Sequence, residues 1–288
     1  MSCLRLIFAS VALFVLASVP GAFSAELFDS TPIAQQVNAV SGINFSTSLE
    51  GGVVDGKSNH MFIGSFTIPL GSSFGTQVDL GVGSYDSDYS SAAAGLHIFW
   101  RDPGIGMFGI YGDYTYINPE HNGRVGFEGS LYHERFTVDV LIAARFGQHV
   151  YTTWFDEIDL AYYFTDNFRA SIGHRGTSRG NVANISFEAL NPNSSGWSVY
   201  GDAEIGEDDY SAAHFGVRYA FGSGADSSLI QRDRSSSVQI RIPRGLADIS
   251  QCGAIASPKP KTWWRSRLWA LCASKDELAA EGATIEKF

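Results

Sequence analysis

Charged side chains recur at alternate positions inside otherwise apolar runs along the middle of this sequence. Asp79, Asp113, Glu128, Asp139, Asp159, Asp202 and Glu204 supply carboxylates, and Arg124, Arg145, Arg169 and Arg218 supply guanidiniums. Glu50, Glu157, Glu188, Arg135 and Arg175 fall on the same face, with His97 and His214 available to titrate. On one face of an extended chain, such groups suit two tasks. They can pair across strands into a salt-bridged interior. Alternatively they can line water, where the acidic excess favours cations.

Catalysis is less well provided for. A hydrolase working at a lipid boundary needs Ser and His side by side with an orienting partner. His174 is the one strand histidine expected to point outward, and the neighbouring strand offers Ala183 and Ile185 there. A protease at the rim would draw on His60, His121, His149, Asp86, Asp88, Asp208 and Asp209, all expected in loops. Gly71–Gly75 and Gly176–Gly180 fit G-x-S-x-G in letters only, since both fall between expected strands and not at a strand-to-helix turn, and no metal-ligand spacing raises the case. The Glu207-Asp208-Asp209 run suits either a divalent ion beside lipopolysaccharide or a solvated turn. The expectation is no catalytic residue, no cofactor and no resident metal.

The elements that hold the charged face are strands. Ile43, Phe45, Thr47 and Leu49 alternate with polar residues, as do Phe74, Thr76, Val78, Leu80 and Val82. The pattern repeats in Val125–Leu131, Phe136–Phe146 and Phe215–Phe221, and period-2 alternation marks strands with one apolar face. Twelve are expected, near 42–50, 61–70, 74–84, 92–100, 107–117, 123–132, 135–146, 156–164, 168–176, 182–190, 197–206 and 211–221. Most match the ~9–11 residues of a tilted membrane-crossing strand and exceed the ~5–6 of ordinary strands.

Gly71-Ser72-Ser73, His133-Glu134 and Thr165-Asp166-Asn167 read as tight turns, and Gly51–His60, Tyr85–Ser91 and Gly147–Phe155 as longer loops. Arg101–Gly106 and Asn191–Gly196 break that asymmetry. Aromatic rings cluster at one end of the apolar face: Phe74, Trp100, Phe108, Phe136, Phe164, Phe168, Trp197 and Phe221. Tyr114, Tyr116 and Phe146 fall toward the other, as in the girdles of transmembrane barrels. The fold expected is all-β: a closed antiparallel transmembrane β-barrel over 42–222. A secreted β-sandwich would alternate too, with its apolar face turned inward.

The flanks differ from the barrel. Residues 1–24 read as a signal peptide, with Arg5, an apolar Leu6–Val19 core and small residues at Ala22, Ser24 and Ala25. Residues 25–41 are an N-terminal periplasmic segment. The net charge of −10 is carried by the barrel region, and the chain turns mildly basic past Gly222, too weakly for nucleic-acid binding. Residues 223–288 read as a periplasmic tail with a short helix near 275–283, after the capping box Ser274–Glu277. Its Trp263, Trp264, Leu268, Trp269 and Leu271 mix with Arg265 and Arg267, so it could lie on the membrane, enter the barrel mouth or stay unstructured. Cys252 and Cys272 could pair in an oxidising periplasm.

The segment from Gly95 to Tyr114, Gly-Leu-His-Ile-Phe-Trp-Arg-Asp-Pro-Gly-Ile-Gly-Met-Phe-Gly-Ile-Tyr-Gly-Asp-Tyr, with Gly123–Gly129 after it, resembles porin-like outer-membrane barrels of proteobacteria. His214–Phe221 looks like a closing strand of that class. More loosely, the first segment is similar to the twelve-stranded β-domains of inverse autotransporters. The resemblance implies residence in a Gram-negative outer membrane, with both barrel ends periplasmic. It implies contact with outer-membrane lipids and lipopolysaccharide, assembly by the barrel-assembly machinery and a possible periplasmic partner for the tail. It transfers no functional residues. The class departs from this chain at the end, where sequence continues well past Phe221. A passive channel for small solutes or ions is the leading expectation; a closed barrel acting through its surface and an outer-membrane hydrolase are the alternatives.

Overall fold

The computed structural model describes residues 38–243, apart from 119, 148–149, 178–179, 192–195 and 208. The expected signal sequence, the helix expected at 275–283, the tryptophan-rich stretch and both tail cysteines lie outside the described residues.

Twelve antiparallel strands form the barrel: β1 (Asn44–Val54), β2 (Lys57–Pro69), β3 (Phe74–Tyr85), β4 (Tyr89–Asp102), β5 (Gly106–Ile117) and β6 (Glu120–His133), then β7 (Phe136–Gly147), β8 (Val150–Thr165), β9 (Phe168–Thr177), β10 (Gly180–Leu190), β11 (Trp197–Gly206) and β12 (Ser211–Gly222). Each pairs with its sequence neighbour, and β1 pairs with β12 from Asn44↔Gly222 to Val54↔Ala212, which closes the barrel. Closure satisfies every strand edge, the condition for a sheet to exist in lipid. A strand of 12 residues such as β3 spans about 40 Å at ~3.3 Å per residue. Tilted by ~40°, it crosses about 30 Å, the thickness of a hydrocarbon core.

Alternation decides which face meets which solvent, and here it is inverted relative to a soluble protein. Leu80, Val82, Ile98, Ile110, Phe127, Ile142, Ile172, Ile185 and Phe215 are exposed on the outside. Ser65, Thr67, Gln77, Asp79, His97 and Glu128 are buried inside. A sandwich with an apolar core is thereby excluded.

Because the strand count is even, β1 begins and β12 ends at the same end, here the near end; the Asp55-Gly56 turn marks the far end. The long far-end loops expected from sequence are absent. Asp55 (φ 52°) and Gly56 (φ 77°) form a two-residue turn whose left-handed pair matches the strand twist, so β1 and β2 run on through Gly51–His60. Asp86 (φ 52°) and Ser87 (φ 61°) likewise shorten Tyr85–Ser91, and β8 begins at Val150 inside the expected Gly147–Phe155 loop. The longest connection, 191–196, is at the near end. His60 and His121 consequently sit on β2 and β6, not in loops.

After β12 the chain turns through 223–228 into a short helix, α1 (Leu229–Ser235), then runs extended from 236 to 243. The Gln231 side chain accepts the Ser228 N–H at 3.3 Å, closing the first turn of α1. Helix and extended segment enter the barrel from the near end.

Candidate functional site: the barrel lumen

The inner wall is a chain of paired charges. On β3, Asp79 accepts hydrogen bonds from Ser65 (2.6 Å) and Gln77 (2.9 Å). His97 on β4 lies between two carboxylates, with Nε2 3.0 Å from Asp79 and Nδ1 2.8 Å from Glu128. Asp113 receives Tyr111 Oη–H at 2.6 Å and Arg124 Nε–H at 2.8 Å. Asp139 accepts the Ser130 hydroxyl. Asp159 accepts the Asn184 amide at 2.9 Å from across β9. That bond is possible because Gly173 lies beneath it: a Cβ there would fall 2.0 Å from Asp159 Oδ1.

On the opposite side, Glu204 takes Arg175 and Tyr210 (2.8 Å), and Asp202 meets His214 at 3.1 Å. Arg218 donates to Glu188 at 2.8 Å. Arg145 is buried on the inner wall of β7, cross-strand from Arg124. Fifteen of the sixteen charged residues expected on one face lie on the interior of the barrel. Arg135 departs from expectation. It lies in the β6–β7 turn at the near rim, half exposed and paired with Asp166 at 2.9 Å.

The post-barrel segment completes this wall. On α1, Arg232 donates to Glu188 at 2.7 Å, and Asp233 accepts from Tyr163 (2.8 Å) and Arg169 (3.0 Å). Arg234 donates to the Phe136 carbonyl at 3.0 Å and lies over the Tyr132 and Tyr163 rings. Farther in, Gln77 grips one residue twice: its Nε2 donates to Val238 O (3.1 Å) and its Oε1 accepts Val238 N–H (2.9 Å). Arg101 donates to Ser237 O at 2.9 Å and to Ala39 O at 3.3 Å, tying both flanks of the barrel at the near mouth. Arg241 reaches Glu157, with its Nε 3.5 Å from Glu128, while its carbonyl accepts Arg124.

Apolar side chains of the segment have sockets as well. Val238 packs with Val40, Phe99, Met107 and Tyr132, and Ile242 with Met61, Ile63 and Ala93. Gly81 and Gly95 floor the second socket. A Cβ on Gly81 would lie 2.8 Å from Ile242 Cδ1, and one on Gly95 3.2 Å from Ile242 Cγ2. A cavity of about 160 Å³ remains between the segment and the wall, bordered by Glu188, Tyr200, Asp202, His214 and Gln239 among others. At the far end Val54, Tyr85, Ile117, Val182, Tyr210 and Ala212 form one buried apolar cluster.

Arg101, Gln77, Arg232 and Arg241 were not foreseen. The available signal was the short alternation Val238-Gln-Ile-Arg-Ile242, a strand-like run with no partner strand left to take it. On the outside, all eight near-end aromatics named from sequence are exposed. Several touch: Phe164–Phe168 at 5.6 Å, Trp197–Tyr219 at 4.8 Å and Phe45–Phe221 at 5.4 Å between ring centroids. His174 faces outward beside Asp156 (3.6 Å) and Asn181 (3.1 Å).

A closed, twelve-stranded antiparallel barrel with an apolar belt outside and a charged lumen has the fold of porin-like outer-membrane β-barrels. Among solved structures, the KdgM porin shares this fold. The KdgM porin, solved in complex with disordered oligogalacturonate, matches with a TM-score of 0.50 and 12% identity, over 62% of this chain and 99% of that one. Omp33 of Acinetobacter baumannii matches at TM-score 0.45 and 8% identity, over 62% and 98%. The NanC porin matches at TM-score 0.43 and 7% identity, over 60% and 98%. No protein-family model matches the chain, and no curated protein matches it in sequence.

Proposed function

We propose that this chain is a porin-like channel of the outer membrane for small hydrophilic solutes, held shut by its own post-barrel segment. The observation that carries the reading is how the lumen is filled. Twelve strands enclose more space than wall side chains can occupy, and residues 236–243 fill it through side-chain bonds from Gln77, Arg101 and Arg124. A filler held this way can leave without breaking the barrel's own ladder. In this reading the near end faces the periplasm, the near aromatic belt meets the inner lipid boundary and the outer belt contacts lipopolysaccharide. Assembly machinery inserts the barrel, and a periplasmic partner for the tail would act where α1 lies. The reading assigns no catalytic centre; His174 meets Asp156 and Asn181.

The test is planar-bilayer recording of the full chain against the Arg232→Glu/Arg241→Glu variant, with folding checked by the heat-dependent gel shift. The variant sets like charges against Glu188, Glu157 and Glu128, so wild type is expected to be quiet and the variant to show stable conducting steps. Folded variant protein that stays silent would favour the second reading, a permanently closed barrel acting through its surface. The apolar cluster at the far mouth is the observation on that side.

A further inference from the structure

We infer that the lumen is a binding site for extended, arginine-bearing peptides, with residues 236–242 as its resident occupant. This deepens the channel reading and rests on it for the idea that the occupant can leave. The wall recognises chiefly the backbone of the segment. Gln77 takes both the N–H and the C=O of Val238, as a neighbouring strand would. Arg101 and Arg124 take the carbonyls of Ser237 and Arg241. Four backbone groups of an extended chain are therefore read by three wall side chains, in a way that does not depend on the ligand's sequence. Peptide-binding proteins that add a strand to a sheet obtain affinity by the same kind of contact.

Side-chain recognition falls on the apolar residues, Ile240 packing beside the second socket, and on one arginine. Val238 and Ile242 occupy the two apolar sockets, the second floored by glycines that leave room for a branched side chain. Between them Arg241 spans Glu157 on β8 and Glu128 on β6. These carboxylates sit on different strands and meet different nitrogens, Glu157 at Nη1 and Glu128 as an ion pair 3.5 Å from Nε. A planar guanidinium with several fixed donors can serve both at once, whereas a lysine ammonium is a single point charge. The ligand class that follows is a short peptide of the form apolar-x-apolar-Arg-apolar in extended conformation. The cavity beside the segment gives an incoming chain room to begin displacing the resident one.

The experiment uses full-chain protein in detergent and the tagged peptide acetyl-Val-Gln-Ile-Arg-Ile-amide, with Lys-for-Arg and Gln-for-Arg versions as controls, read by fluorescence anisotropy. Arg241→Gln weakens the resident occupant and leaves the two glutamates in place. It is expected to bind the Arg peptide at least tenfold more tightly than wild type does, and at least tenfold more tightly than it binds either control. Adding Glu128→Gln and Glu157→Gln should remove that preference. Equal affinity for the three peptides, or a preference that survives loss of both glutamates, overturns the inference.

If Arg241→Gln fails to fold, a Ser237→Cys protein with the other cysteines replaced by serine keeps the resident arginine. Its thiol should react at least fivefold faster with a charged methanethiosulfonate when the Arg peptide is present, and unchanged reactivity overturns the inference. Binding is read without conductance, so the two proposals fail separately. Peptide binding with no current in any variant sinks the channel alone; current without Arg preference sinks the peptide site alone.

Discussion

The two mouths of this barrel are narrowed by opposite chemistry. The near mouth is filled by a separate length of chain held through Arg232–Glu188, Arg241–Glu157 and the Gln77–Val238 bonds. The far mouth is narrowed by the wall itself, through Val54, Tyr85, Ile117, Val182, Tyr210 and Ala212. A charged closure depends on partners: removing one side of a buried pair costs about 3–5 kcal/mol, because the other charge is left without compensation. An apolar closure depends on area and loses roughly the transfer and cavity terms of whatever is cut away. The near mouth can therefore be opened by a change of one or two charges, and the far mouth cannot. If the proposed channel reading holds, that difference orders substitutions by how far each should open the lumen.

The largest effect should come from Glu128→Gln with Glu157→Gln. These changes leave the Arg241 guanidinium inside the lumen without its carboxylates, and the extended segment should leave with it. Ion flux into vesicles loaded with the full-chain variant is expected to rise more than tenfold over wild type. A barrel that is folded, by gel shift, and no leakier than wild type would break the idea that charge holds the near mouth.

A smaller opening is expected from Gly95→Leu, which changes no charge. Its side chain would occupy the seat of Ile242, whose Cγ2 already lies 3.2 Å from where a Cβ would start. Overpacking of this kind costs about 1–3 kcal/mol, so flux should rise several-fold and the barrel should still fold. If Gly95→Leu opened the channel more than the double glutamine variant, apolar seating would be the stronger hold, and the comparison of the mouths would have to be redrawn. Gln77→Ala should do less again. It removes the two hydrogen bonds to Val238, worth about 1 kcal/mol each, together with wall bonds to Thr67 and Asp79, and leaves Asp79 still bonded to Ser65 and His97. A two- to threefold rise in flux is the expected reading, and no rise at all would place the hold wholly with Arg241 and the sockets.

How much of this was legible in the sequence follows from the range of each interaction. Strand faces were legible, because alternation is a property of neighbours: Asp79 and Asp113 read as inward, and Phe74 and Trp100 as outward, from residues two positions away. Turns were half legible. Val53 and Val54 continue the alternation of β1, and Asp55-Gly56 is a strong hairpin pair, but the glycines at 51 and 52 suggested an earlier break. The lumen's occupant was not legible as such. Val238–Ile242 alternates like a strand, yet nothing near it says that Gln77 is its partner, because that contact spans 161 positions. The single arginines at 232 and 241 carried no local pattern, and the tryptophans beyond 263 were the stronger signal.

The smallest effect on opening should come from the far mouth, and its smallness is informative. Tyr85→Ala removes the largest contribution that β3 makes to the far cluster, where Tyr85 is buried beside Val54 and Ile117. With the near segment seated, the route through the lumen is still interrupted between Gln77 and Glu157, so flux through Tyr85→Ala alone should equal that of wild type. Combined with Glu128→Gln/Glu157→Gln, the same change should matter. Two constrictions in series contribute like resistances, and once the charged one is gone the apolar one sets the conductance, partly by how readily it wets. Unit conductance of the triple variant should then exceed that of the double variant, with open probability unchanged. If Tyr85→Ala alone made vesicles leaky, the far cluster would be the principal barrier and the near segment only a filler. If it left unit conductance unchanged in the opened background, the far cluster would be wide enough to pass solute, and the near mouth alone would decide whether the barrel conducts.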